Sequence, residues 1–166
     1  NMSIALAESV ANQGQGFINS MAFGNGGTSV DPTGIITYLT PNSTGTNASL
    51  YNQTFTKIVD DRSVSNLDPQ RNKIETRHVN GTNYTDVVVT CLLDYGEPNG
   101  QDATDTASAS DSLYVFDELG LVSYASSGTG KLLTHVVFHP VQKSLNRLIQ
   151  IDYTVRVQSL TGFNEG

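Results

Sequence analysis

His135 and His139 stand four residues apart, the spacing at which two imidazoles one helical turn apart can share a metal ion. Their neighbours argue against it. Leu132-Leu133 and Val136-Val137-Phe138 read as a strand, and residues four apart on a strand lie ~13 Å apart along it. One ion with ligands at ~2 Å cannot reach both, so the expected role is a satisfied or interface histidine pair on one strand face. Ser127-Gly128-Thr129-Gly130-Lys131 imitates a phosphate-cradling loop, but Ala125 stands where the first glycine belongs and Leu132 where a hydroxyl should follow the lysine. Asp102, Asp105 and Asp111 lack the alternating ligand register, central glycine and closing Glu of a calcium loop. Asp117 and Glu118 are adjacent on a strand pattern and project to opposite faces, so they cannot flank one bond as acid and base. Cys91, in the apolar run VVVTCLLDY, reads as a small buried hydrophobe. No catalytic, cofactor-binding or metal-binding residue is expected, and the chain does not read as an enzyme.

The bulk composition excludes further classes. Charged residues are 15% of the 166 positions, against the usual ~25%, so Asn, Ser and Thr keep the surface wet. The formal net charge is -7 and the nine basic residues are scattered. Their densest group, Arg71, Lys73 and Arg77, has Glu75 among it. Binding to phosphate backbones needs a concentrated Lys/Arg surface, so neither nucleic acid nor an anionic membrane is an expected partner. No basic-then-apolar signal opens the chain and no apolar run approaches the ~20 residues of a membrane helix. The expectation is a protein soluble as synthesised, in one domain.

The elements that must position these residues follow from periodicity. Ser3 to Ala22 carries apolar residues at spacings of three and four, including Phe17, Ile18 and Met21, and predicts an amphipathic helix capped by Ser3. Residues 23–34, with Gly24, Gly26, Gly27 and Pro32, predict a turn. From Ile35 the period is two. Strands are predicted at Ile35–Leu39, Thr54–Val59, Lys73–Val79, Val87–Tyr95, Leu113–Leu121, Lys131–Phe138 and Leu148–Val157. Pro140–Ser144 reads as a crossover. Two polar loops, Pro41–Asn52 and the acidic Gly96–Ser112, are long enough to serve function. The fold class is therefore α+β, mostly antiparallel β in a sandwich-like sheet, with an N-terminal amphipathic helix. Its parts are a helix at 1–22, a β domain at 23–158 and a tail at 159–166.

Several short segments taken together resemble a known family. They are Met-Ala-Phe-Gly-Asn-Gly-Gly-Thr (Met21–Thr28), Leu50–Ile58, Asn-Lys-Ile-Glu (Asn72–Glu75), Phe116–Leu121 with a Glu-Leu-Gly-Leu turn at Glu118–Leu121, Gly130–Leu133, and Arg147–Val157. In this order, after an opening helix, they resemble the N-terminal domain of phage tail-collar fibre proteins and related baseplate or neck components of contractile-tailed phages. Gln53 stands where that family more often has Glu, the acidic loop is an insertion, and no fibre shaft follows Gln158.

The resemblance implies a virion structural protein of the tail, baseplate or neck, synthesised in host cytoplasm. It would act as an adaptor or fibre-attachment subunit whose partners are other virion structural proteins, and as a homo-oligomer in the assembled particle. The contacts expected are the helical stripe Phe17, Ile18 and Met21, the loop residues Tyr51 and Asn52, and His135 and His139. Two alternatives are a capsid decoration protein and a carbohydrate-binding host-recognition module, for which Tyr51, Tyr84 and Tyr124 are the loop aromatics available.

Overall fold

The described residues form nine strands, and every pairing between them is antiparallel. The structure is a computed structural model that describes residues 1–45, 47–98 and 113–160. Asp102, Asp105 and Asp111, and most of the acidic loop, lie outside these residues, as does the tail from 161. One helix, α1 (Met2–Val10), precedes β1 (Ile18–Gly24), β2 (Thr28–Val30), β3 (Ile36–Tyr38), β4 (Gln53–Ile58), β5 (Lys73–His78), β6 (Tyr84–Leu93), β7 (Leu113–Ser123), β8 (Val136–Ser144) and β9 (Ile149–Gln158). The strands form a sheet in the order β4-β1-β7-β8, a sheet in the order β5-β6-β9, and the small hairpin β2-β3. The molecule is α+β and mostly antiparallel β.

One core joins the two larger sheets. Met21 and Phe23 from β1 and Tyr114, Phe116 and Leu121 from β7 share a buried cluster with Val89, Cys91 and Leu93 from β6. Fully burying each large apolar side chain is worth about 1.5–3 kcal/mol. Phe23 and Phe116 meet edge-on at 5.3 Å, and Phe116 meets Phe138 edge-on at 5.6 Å, the geometry aromatic quadrupoles prefer. A smaller cluster of Ala22, Leu50 and Leu132 covers the other face of the first sheet. With both faces covered, β1 and β7 are central strands.

Several sequence expectations need correction. The helix cap is Asn1, not Ser3, and Pro140–Ser144 belongs to β8 instead of forming a crossover. The helix ends at Val10, not Ala22. Asn12, Gly14 and Gly16 adopt positive φ, and a Cβ on Gly16 would overlap the Ala5 carbonyl. The chain therefore folds back on α1, and Ile18 and Met21 sit on a strand. Glu118–Leu121 is no turn but the middle of β7, paired to Gly24–Met21 of β1. Lys131–Phe138 is also displaced: only the bridge Val122–Leu132 forms before β8 begins at Val136. Pro140 lies inside β8, a sheet edge, where a residue without an N–H is tolerated.

β9 follows its expected alternation as far as Arg156, with Ile149, Ile151, Tyr153 and Val155 half-buried and Gln150, Asp152, Thr154 and Arg156 exposed, whereas Val157, expected on the inner face, is exposed. On its outward face Arg156 donates Nε–H and Nη2–H to Asp86 Oδ1 and Oδ2 at 2.8 and 3.1 Å, with its guanidinium 3.7 Å over the Tyr84 ring. The hydrogen bond from Arg156 holds the Asp86 carboxyl below its ordinary value of 3.8. A carboxylate favoured in the folded state stabilises it above the unfolded pKa and stops doing so as pH falls through the folded one. Asp86→Asn should therefore lower the urea midpoint at neutral pH. That difference from wild type should shrink only below about pH 3.8, as measured by urea titration at a series of pH values.

Candidate functional site

Two adjacent carboxylates in the middle of β7 organise the polar interior. Asp117 accepts the Gly27 N–H at 2.8 Å on Oδ1, and the Thr28 N–H and hydroxyl at 3.0 and 2.5 Å on Oδ2. Glu118 accepts the Asn52 N–H at 2.9 Å on Oε1 and the Tyr51 N–H at 3.2 Å on Oε2. Both carboxylates are buried. Each pins a different loop to the same strand: Asp117 the link from β1 to β2, Glu118 the end of the loop before β4. Close backbone approach makes this possible, because a Cβ on Gly24 would overlap both the Asn52 carbonyl and Glu118 Oε1.

His135 completes the cluster. The Asn42 N–H donates to its Nδ1 at 2.8 Å, so the proton sits on Nε2, which donates to Glu118 Oε2 at 3.0 Å. The Tyr51 ring lies 5.3 Å from the imidazole, centroid to centroid, and the Tyr51 hydroxyl donates to the Thr40 carbonyl. The side chains of His135 and Glu118 are both fully buried. This carboxylate–imidazole pair resembles half of a catalytic triad in its bonding, but its polar atoms are directed to loop backbone. It ties Asn42, Tyr51 and Asn52 to β7.

A second anchor lies at the far end of the core. Lys143, buried, donates its ammonium protons to the carbonyls of Ser144, Glu97 and Asp94 at 2.7, 2.9 and 3.1 Å. Burial pulls its pKa down while Glu97 and Asp94 oppose the shift. Lys57 donates to the Leu92 carbonyl and to Glu97 Oε1. Nearby, burial pushes the Cys91 thiol up to about 12. Because the thiolate is the nucleophile, Cys91 should resist iodoacetamide in the native protein and react only in denaturant, as read by mass spectrometry. Rapid native labelling would mean that β6 opens locally.

The seven expected contact residues separate in the structure. Met21 and His135 are buried, Ile18 and Asn52 half-buried, and Phe17, Tyr51 and His139 exposed. Met21 is a core residue and not a contact. His135 and His139 do not act as a pair: His135 precedes β8 and faces Glu118, whereas His139 Nδ1 lies 3.4 Å from the Tyr38 hydroxyl. Asn52 Nδ2 donates to Asn25 Oδ1 at 2.5 Å, so it serves the loop. Among the described residues no three His, Cys, Asp or Glu side chains converge as metal ligands.

Phe17 and Ile18 do meet a surface feature. They line a groove of about 620 Å³ between α1 and the inner face of β5-β6-β9, walled by Met2, Leu6, Val87 and Val155. α1 buries only Ala5 and leaves Leu6 46% and Val10 79% exposed. Asp60, Asp61 and Arg62 are its charged lining residues. Of the stripe Phe17, Ile18 and Met21, the first two line this groove from outside the helix and Met21 is buried in the core. No family model matches the chain, and neither a curated protein nor a solved structure matches it.

Proposed function

We propose that this protein is a virion structural subunit of a phage tail, baseplate or neck. It acts as an adaptor or fibre-attachment part through protein–protein interfaces, without catalysis. The observation that supports an interface role is the apolar groove between α1 and the second sheet. Apolar surface gathered in one concavity marks an interaction site more often than scattered exposure does. The buried ionisable groups, by contrast, are committed to backbone: Asp117, Glu118 and Lys143 hold loops and turns. The location within a phage particle rests on the sequence resemblance alone.

The carbohydrate-binding alternative wants open aromatic platforms. Tyr51 packs against His135, Tyr84 lies under Arg156, and Tyr124 stacks on Phe17 at 5.0 Å. Tyr84 and Tyr124 each have one face already taken and Tyr51 is engaged at a tilt, which favours the adaptor reading. Immunogold labelling of intact particles with antibody against this chain separates the structural readings. Label at the tail, baseplate or neck is the expected result; label spread over the head would replace it with capsid decoration.

A further inference from the structure

β9 has one edge that no described strand pairs with. Edge strands in soluble proteins are normally blunted by charges, proline, bulges or covering elements, and three of the four edges of the two larger sheets carry such devices. β4 meets β1 across a register shift at Phe23/Gly24. β8 contains Pro140 and has β2 lying against it. β5 is six residues long and carries Lys73, Glu75 and Arg77 on its outward face. β9 carries two charges of opposite sign on its outward face, Asp152 and Arg156, but has no bulge, proline or described covering strand. It runs ten residues in unbroken register against β6.

Its free hydrogen-bonding groups can be assigned. The Ser159 N–H donates to the Asn83 carbonyl at 2.8 Å, one step beyond the Tyr84–Gln158 pair. Antiparallel ladders alternate hydrogen-bonded and non-hydrogen-bonded pairs, so the odd-numbered residues of β9 exchange hydrogen bonds with β6. The N–H and C=O groups of Gln150, Asp152, Thr154, Arg156 and Gln158 therefore point to the open edge.

These same residues read as a chemical palindrome: Gln150, Ile151, Asp152, Tyr153, Thr154, Val155, Arg156, Val157, Gln158. We infer that two copies of this chain associate through β9, antiparallel about a two-fold axis at Thr154, to make one continuous six-stranded sheet. In that register Thr154 meets Thr154 of the second copy, and Gln150 meets its Gln158. Asp152 meets its Arg156, and by symmetry Arg156 meets its Asp152. On the inner face Ile151 faces Val157 and Tyr153 faces Val155. The outward-pointing backbone groups all fall in hydrogen-bonded pairs, and both charged pairs are attractive.

Neither charged partner is otherwise saturated. Arg156 is pre-oriented by Asp86 and Tyr84 through only part of its five-donor guanidinium. Asp152 receives only a 3.3 Å hydrogen bond from Gln150. A slip of two residues in either direction loses the Asp152–Arg156 pairing, and a slip of one turns the inner face outward. The contact is isologous, so it closes at two copies instead of growing into a fibre. It needs only β9 and does not depend on where the subunit sits in a particle.

Sedimentation equilibrium of the whole 166-residue chain tests this. Wild type should show a concentration-dependent monomer–dimer equilibrium. Asp152→Lys places like charges opposite each other twice, which should weaken the dimer at least about tenfold. Arg156→Asp should do the same. An equimolar mixture of the two variants should dimerise again. In the mixed dimer the introduced lysine faces the introduced aspartate, and the native Arg156 of one copy faces the native Asp152 of the other. Since Arg156 also holds Asp86, Thr154→Pro gives an independent block: its N–H faces outward, so proline there spares the ladder to β6. It should remain folded by circular dichroism and be monomeric. A wild-type chain monomeric up to millimolar concentration, a dimer indifferent to Asp152→Lys and Thr154→Pro, or variants that stay monomeric when mixed would each overturn the inference.

Discussion

Glu118→Ala should cost the protein about 3–5 kcal/mol, because several hydrogen-bond donors lose their acceptor and a buried unsatisfied one costs about 1–3 kcal/mol. A small domain has about 5–15 kcal/mol in total, so this single change brings it near the threshold of unfolding. The cause is specific. Glu118 takes the N–H groups of Tyr51 and Asn52 and the Nε2–H of His135, and alanine leaves three donors without this acceptor, one of the three bonds being buried and two half-buried. Glu118→Gln retains one carbonyl oxygen but turns an amide nitrogen toward a donor. It should lose about 1–3 kcal/mol. Guanidinium unfolding measures both values. Hydrogen exchange adds the local readout, because the Tyr51 and Asn52 amides should lose protection before the β6–β9 ladder does. If Glu118→Ala moved the midpoint no more than an exposed substitution, the loop would be held by something other than this carboxylate.

Gly120→Ala should be nearly as damaging, at about 3 kcal/mol, the upper end of overpacking costs. A Cβ at Gly120 overlaps the Thr134 carbonyl oxygen and sits 2.7 Å from Leu132 Cδ1. The first of these is backbone and cannot rotate away, so β7 and the segment before β8 would have to part. The control is Gly34→Ala, where φ is +89° but nothing lies within 4 Å. Its cost is conformational only, about 1–2 kcal/mol. Equal losses at the two sites would show that close approach at Gly120 is not what requires glycine.

These two residues also show where the sequence could be read and where it could not. Glu-Leu-Gly-Leu carries the composition of a turn, and only the tertiary fold reveals that Glu118 is an internal acceptor and Gly120 a point of backbone contact. Strands with one wet face, such as Ile149–Gln158, were legible because their alternation is local. The helix was overextended because Phe17, Ile18 and Met21 satisfy helical spacing, while β1 is covered on both faces and shows no alternation to betray it. Glycines 14 and 16 held the contrary signal. His135 and Glu118 lie seventeen residues apart, and His135 and Asn42 ninety-three. No periodicity links such partners. Lys143 was unreadable for the same reason, since two of its three acceptors are backbone carbonyls of the segment after β6, Asp94 and Glu97. The apolar groove was legible only in Phe17 and Ile18, which were read as helical, and its other wall belongs to a sheet formed far along the chain.

The position of β1 has a consequence in time. It carries Met21, Ala22 and Phe23 near the start of the chain, yet it is sandwiched between β4 and β7, and β7 ends at Ser123. At about 5–20 residues per second of synthesis, this strand waits on the order of several seconds for its second neighbour. During that interval it can pair only with β4, leaving an apolar edge open. A nascent chain truncated between β4 and β7 should therefore be the species most prone to aggregate and most in need of a chaperone.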